Sequence, residues 1–407
     1  MPTSIFPTGV TRHDPDRAWN GYVLFATTDA RSLLIDMTGN EVRAWPWVGF
    51  PSEMIDPAIN DWRKGDIIVQ KEPDIFANET LMIVDWEAHP IWEWGRQAPG
   101  GKARQNHDQA PLPNGNVLVL AHRDPPTGIH FADQAIYEVT RSGDIVWQWV
   151  SSEHIEEMGF TGEKRDLLLS PLGRPRSSIF VINDMHPLGP NRWFEAGDQR
   201  FHPDNIMIDS REGSVIAIID KATGAIVWRL GPEYPASYDN SKKAFGAANG
   251  FPRPIDSISG QHDAHMIGPG LPGAGNVMVF DNQGAAGFPP IYLEMFPGSR
   301  VLEIDPVTGD IVWQYDASCS GQPYWTFFSS FISSARRLAN GNTLICEGMH
   351  GRLFQVTPEG DIVWEYVNPH YGEWADHDVP SGGSASNWVF RAQPIPYDWL
   401  PTSSQGD

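Results

Sequence analysis

The chain is short of cysteine, of positive charge, of long apolar runs and of helix-period stretches, and each shortage excludes something. Two thiols, Cys319 and Cys346, cannot build a disulfide framework, and neither lies in a CxxC motif. Whether they pair with each other is not legible in sequence. No apolar stretch approaches the roughly 20 residues of a membrane span. The start, Met1-Pro2-Thr3-Ser4-Ile5-Phe6-Pro7, lacks a basic region followed by an apolar run, so no signal peptide is expected. The expected location is the cytoplasm, or the periplasm if a leader has been removed. With 29 Lys and Arg against 51 Asp and Glu, the net charge is −22. Such a surface repels phosphate backbones and anionic lipids, so nucleic acid and membrane partners are not expected. The acidity itself serves solubility, and an anionic substrate would need a local positive pocket.

Glycine (39) and proline (35) are plentiful beside 41% apolar residues over 407 positions, which points to many short strands joined by tight turns. One phrase recurs six times: an alternating apolar run, a turn containing glycine, then a run closing on tryptophan. It ends at Trp45, Trp92, Trp147, Trp228, Trp313 and Trp364. Thr-Gly, Ser-Gly and Glu-Gly supply its hairpin turns. A second hairpin precedes it in several copies, with turns at Asn114-Gly115 and Asn340-Gly341 and a longer glycine-rich turn within 261–280.

Two consecutive hairpins make a four-stranded antiparallel blade, with strands A to D from the channel outward. Six blades make an all-β, six-bladed β-propeller with a central channel. The six tryptophans are expected at equivalent outer positions. A single domain over 1–407 is expected, with a tail over 370–407 packing back on the ring.

Strand A of each blade lines the channel, and its start lies beside the end of strand B at the same mouth. His107, His186, and the pair His262 and His265 start strand A of blades three, four and five. Arg123, Arg211, Asn282 and Glu347 end strand B of blades three to six. His107, His186, His262 and Arg211 are therefore expected in one pocket. The plainer reading of a lone strand histidine is packing, and of Arg211 a pairing with Asp209 or Glu212. His202, before strand B of blade four, supports the site from behind in this reading, and His350 reaches the mouth from the B–C turn of blade six. His122, His130, His154, His370 and His377 read as surface or loop residues.

Several long phrases resemble the bacterial arylsulfotransferase family, the type that uses no adenylyl sulfate cofactor (PAPS). They include GPNRWFEAGDQRFHPDNIMIDSR, IAIIDKATGAIVWRLGP, GQHDAHMIGPGLPGAGNVMVFDNQ and LANGNTLICEGMHGRLFQVTPEGDIVWEYVNP. The resemblance covers most of the chain and implies the same six-bladed ring. It implies sulfuryl transfer between phenols through a sulfohistidine, with His262 of the HDA motif as nucleophile. By the same resemblance His107 of the NHD motif is an acid/base partner, His186 is the histidine of the DWxHxN phrase, and Arg211 is the arginine of the SR pair. His265, Leu188, Asn282, His350 and His202 are then candidate substrate-binding residues, the substrate being a small aromatic. The chain departs from DWxHxN, with Met185 for the tryptophan and Leu188 for the asparagine.

Imidazole suits the nucleophile because it attacks and shuttles protons near neutrality. A guanidinium suits the shifting charge of a sulfuryl group. Two other readings stay open on the same residues: a hydrolase or lyase using the cluster for acid/base work or for a histidine-bound metal, and a non-catalytic binding module. No metal site is assigned from sequence, and a homodimer stays open.

Overall fold

The computed structural model describes residues 7–59, 62–73, 78–125, 133–169, 181–232, 258–284, 297–373 and 385–401. Six antiparallel sheets are arranged as blades around a channel, making a six-bladed β-propeller. From strand A outward, blade two is Glu53–Met54, Ile67–Gln70, Leu81–Val84 and Pro90–Trp94. Blade three is Gln105–Pro111, Val117–Arg123, Asp133–Val139 and Ile145–Val150. Blade four is Asp184–Pro187, Ile206–Ser210, Val215–Ile219 and Ile226–Leu230. Blade five is His262–Met266, Val277–Asp281, Arg300–Ile304 and Ile311–Tyr315.

The two remaining blades close the ring, and each borrows from a chain end. Strand A of blade one is Ala392–Ile395, paired with Tyr22–Ala26, followed by Ser32–Asp36 and Glu41–Trp45. The C-terminal region therefore supplies an inner strand to the first blade instead of merely packing on the ring. Blade six is Ser334–Arg337, Thr343–Glu347, Arg352–Val356 and Ile362–Val367, with Gly9–His13 added outside as a fifth strand. Hydrogen bonds from both ends thus hold the ring shut.

Burial explains the strand sequences. Strands B and C are covered on both faces by neighbouring blades, so Val215–Ile219 is buried at every position and reads as a continuous apolar run. Strand D lies at the rim and alternates, as in Pro90–Trp94. A separate apolar cluster fills each of the six blade interfaces. Each fully buried Val, Leu or Ile there is worth about 1.5–3 kcal/mol. The C–D turns are set locally: the Asp36 carboxylate accepts from the backbone N–H of Thr38 at 2.8 Å and of Asn40 at 3.0 Å, and Gly39 takes φ 85°.

Every C–D hairpin has a register shift just after its turn. That bulge sets the tryptophan slot. Trp92, Trp147, Trp228, Trp313 and Trp364 lie opposite Ile83, Glu138, Ile218, Glu303 and Gln355. Each indole N–H donates to a carbonyl just past strand C of the next blade, those of Arg141, Lys221, Pro306, Pro358 and Met37, at 2.8–3.1 Å. Trp45 departs from the expected equivalence. Arg43 holds the slot in blade one, opposite Leu34, with its guanidinium 5.7 Å from the Trp86 ring. Trp45 is two residues farther along, opposite Ser32, where Trp94 and Trp149 also sit in their blades. Cys319 and Cys346 are both free thiols, the first exposed and the second buried.

Candidate functional site

Strand register places the inner residues in layers. Counting back from the pairs Val117↔Pro111, Ile206↔Pro187 and Val277↔Met266 puts Asp108, Asp184 and Asp263 in one slot. The same count puts Arg391 there in blade one and Ser334 in blade six. Each of the three carboxylates accepts a backbone N–H from strand A of the next blade: Asp108 from Met185 at 2.8 Å, Asp184 from Asp263, and Asp263 from Ala335 at 3.0 Å. Arg391 bridges all three, with Nη1 2.8 Å from Asp108, Nη2 on Asp184, and Nε 3.2 Å from Asp263. This floor of buried charge stitches five blades together and crosses the channel.

The floor divides the histidines. His107 and His262 come one residue before their aspartates, whereas His186 and His265 come two residues after. Strand A runs in the same sense in every blade, so the two pairs face opposite mouths. His186 therefore does not join His262. Its ring lies 5.6 Å from that of His265, and its Nε2 accepts from Arg336 at 3.2 Å. The residue that does share the slot of His107 and His262 in blade four is Asn183, whose Oδ1 accepts the backbone N–H of Arg211 at 2.9 Å. Aligning the three copies on aspartate instead of histidine would have found it.

On the mouth of His262, Asn282 controls the imidazole. The Asn282 amide nitrogen donates to the carbonyls of Ser329 and Ile332, both at 2.8 Å, which turns Oδ1 toward His262 Nδ1 at 2.9 Å. The carbonyl of Gly260 is also 3.1 Å from Nδ1. Two acceptors at Nδ1 require the proton there and leave the lone pair on Nε2. The Ile332 N–H donates to that lone pair at 3.2 Å. Burial, then the positive charge of Arg211, pushes the His262 pKa down to about 3, so the ring is neutral at pH 7. Asn282 thus acts on the histidine and is not itself turned toward a substrate.

His107 is held well below its ordinary pKa by burial, then by His122, His262 and Arg211. Its Nδ1 is buried with no hydrogen-bond partner among the described residues. Phe50 packs 5.1 Å from His107, Phe390 packs 4.3 Å from Phe50, and His262 lies 6.4 Å from Phe390. Arg211 is paired with Glu212, as the plainer reading held, and also donates to the Ser330 carbonyl at 3.3 Å. Its Nε is buried without a hydrogen-bond partner among the described residues. His122 belongs to this mouth and not to the loop surface: like Arg211 and Asn282 it falls five residues after the start of strand B. Burial, then Arg104, pushes its pKa down to about 4.

Backbone strain gathers here. Among the described residues, nine that are not glycine have positive φ, and five of them, His107, Asp263, Gln283, Ile332 and Ser333, are at or beside this mouth. Left-handed geometry is costly for a β-branched residue such as Ile332, at φ 51°, and such outliers gather at functional sites.

The remaining candidates sit elsewhere or at the edge. Leu188 is buried in the apolar cluster between blades four and five, so the departure at this position belongs to the core. His202 stacks edge-on to Phe194 at 4.8 Å. His350 lies in the turn Gly348–His350 of blade six, and its carbonyl accepts from Asn387 at 3.2 Å. Arg123 sits 3.6 Å from Asp133, and Glu347 3.0 Å from Arg352. His154 stacks on Trp149 at 4.7 Å, and His370 sits 3.1 Å from Arg31. His130 and His377 lie outside the described residues. Among the described residues, the one group spaced to share a metal ion is Asp108, Asp184 and His186. The Arg391 guanidinium already supplies the cation between its two carboxylates.

Among solved structures, a protein of unknown function from Bacteroides caccae is 13% identical, covering 93% of this chain and 99% of that one at a TM-score of 0.48. A catalytically inactive virginiamycin B lyase from Staphylococcus aureus, with quinupristin, is 10% identical, covering 89% and 88% at a TM-score of 0.41. Likeness this remote bears on neither reaction nor ligand. No curated protein shows significant similarity to the chain. A sequence model described as Arylsulfotransferase (ASST) matches residues 22–368, from strand B of the first blade to the end of the last. That span covers most of the ring and both mouths, and the chain belongs to the arylsulfotransferase family.

Proposed function

We propose that the chain moves a sulfuryl group from an aryl sulfate to a phenol through a covalent adduct on His262. The observation that carries this reading is the lock at His262: Asn282 and Gly260 hold the proton on Nδ1, and burial keeps the ring unprotonated, so Nε2 is a neutral nucleophile at pH 7.

In the first half-reaction Nε2 forms a bond to sulfur while the ester S–O bond breaks, and the electron pair leaves on the aryl oxygen. The Ile332 N–H must release the lone pair first. Once released, it is a donor beside the sulfuryl oxygens. In the second half-reaction the acceptor oxygen bonds to sulfur, the N–S bond breaks and the pair returns to Nε2. The acceptor's proton passes to His107, which is unprotonated and has Nδ1 unpartnered. Protonated His107 can then neutralise the next departing phenolate, and the cycle balances without another reactant. The unpartnered Nε of Arg211 suits an anionic group. Phe50 and Phe390 offer a flat apolar face to an aryl ring.

Intact-mass analysis after mixing with a chromogenic aryl sulfate tests the reading. Wild type should carry a sulfuryl adduct, and His262→Ala should lose both adduct and turnover. Turnover in His262→Ala would refute it. Asn282→Ala should lower kcat on the order of 10²-fold, short of the roughly 10⁴ that a wrong tautomer can cost, because Gly260 still accepts from Nδ1.

A further inference from the structure

The far side of the floor holds a cavity of about 290 Å³ that this chemistry does not use, and His186, His265, Arg336, Glu53 and Arg391 contribute to its lining. Its polar groups are incompletely employed. His265 donates from Nδ1 to the Asp263 carbonyl at 2.8 Å, leaving its lone pair on Nε2, which has no hydrogen-bond partner among the described residues. Arg336 uses Nη2 on Asp263 at 2.5 Å and on His186 at 3.2 Å. Its Nη1 and Nε make no hydrogen bond to a described residue, and its side chain is 20% exposed.

The local charge balance also differs from the global one. Arg391 and Arg336 offset the Asp108 and Asp263 carboxylates, and burial raises the pKa of Asp184, the third acidic group on Arg391, toward its uncharged form. Burial, then the charge on Asp108, pushes the Glu53 pKa up to about 8, so it is an O–H donor at neutral pH. A chain of net charge −22 thus keeps at this mouth a hollow whose lining includes Arg336, Arg391, a protonated Glu53 and two neutral imidazoles. We propose that this cavity binds a small oxyanion, either a carboxylate or a sulfate-sized inorganic anion, on the Nη1 and Nε donors of Arg336, with His265 taking up a proton on Nε2 to donate to it, at the mouth opposite His262. The proposal does not rest on the sulfuryl-transfer reading.

The charged and titratable groups around the two rings from the inner strands are Glu53, Asp108, Asp184, Asp263, Arg336, Arg391 and Arg337, the last paired with Glu303. Burial, then Arg336, holds His186 and His265 well below their ordinary pKa. A bound anion offsets Arg336 and favours imidazolium, so binding takes up a proton and strengthens as pH falls.

Calorimetric titration with sodium acetate and, separately, sodium sulfate at about pH 6 and about pH 8 tests this. One anion should bind with 1:1 stoichiometry, about tenfold more tightly at the lower pH, and the arm that gives heat identifies which. Arg336→Gln and His265→Gln should each weaken binding about tenfold or more, and Arg211→Gln, at the other mouth, should leave it intact. If Arg336→Gln fails to fold through loss of its Asp263 contact, His265→Gln decides alone, since it leaves the ion pairs in place. Absence of heat from both anions would overturn the proposal. So would binding that survives His265→Gln and is lost in Arg211→Gln, an outcome that would assign the anion to the His262 mouth.

Discussion

The two sides of the aspartate floor are built from the same strands, yet they differ in how their histidines are held. On one side Asn282 and Gly260 grip His262, aromatic rings surround His107, and the backbone is strained at Ile332 and Ser333. On the other, His186 pairs with Met207, His265 pairs with Met278 just past a bulge in its strand, and Arg336 lies between His186 and Asp263. Strain and a dedicated orienting amide suit a group that must react in one geometry, whereas open donors beside a cavity suit binding. Between them, Asp108, Asp184 and Asp263 carry blade-to-blade hydrogen bonds, so the barrier is also the hub of the ring.

The largest effect should come from breaching that barrier. Arg391→Met leaves three buried carboxylates without their shared cation, and the unfolding free energy should fall by about 3–5 kcal/mol. A shift under about 1 kcal/mol in denaturant unfolding would mean that the floor does not hold the two sides together. The division of labour is tested next. Arg211→Ala should cost about 3 kcal/mol of transition-state stabilisation, on the order of 10² in kcat. An equal loss of kcat in Arg336→Ala would erase the distinction between the mouths.

The smallest effect is a pH dependence specific to the far side. Glu53 has a folded pKa of about 8, above its ordinary 4.5, so its contribution to stability is complete below the ordinary value and is lost as pH rises through about 8. Glu53→Gln should flatten that alkaline decline, gaining roughly 1–2 kcal/mol relative to wild type at about pH 9, as read by unfolding curves across pH. His262 works in the opposite direction. Its lowered pKa costs stability as pH falls below 6.5 and the unfolded chain takes up the proton. An unchanged alkaline limb in Glu53→Gln would place the titration elsewhere.

Much of this molecule was written in local pattern. The six Trp-ending hairpins, the Asn-Gly turns and the glycines of the C–D turns are short-range signals, and they were enough for blade number and strand order. Trp45 shows the limit, because a tryptophan at the end of a similar phrase fell two positions off once the bulge after the turn was counted. The closing strands at both ends were invisible for a different reason: Gly9–His13 and Ala392–Ile395 are too short to announce a strand, and each pairs with a segment far away in sequence.

By itself, then, the sequence determined the ring and the family and supplied the candidate residues, because periodicity and turn chemistry act over a few residues. Which histidines share a mouth was decided only by tertiary structure. Side chains alternate along a strand, and a displacement of a few positions past the aspartate carries His186 from one side of the floor to the other. The same register made Asn183 and His122 members of the His262 mouth and gave Leu188 to the core. Arg391, far along the chain from Asp108, Asp184 and Asp263, became their common partner only when ring closure brought the last inner strand beside the first blade.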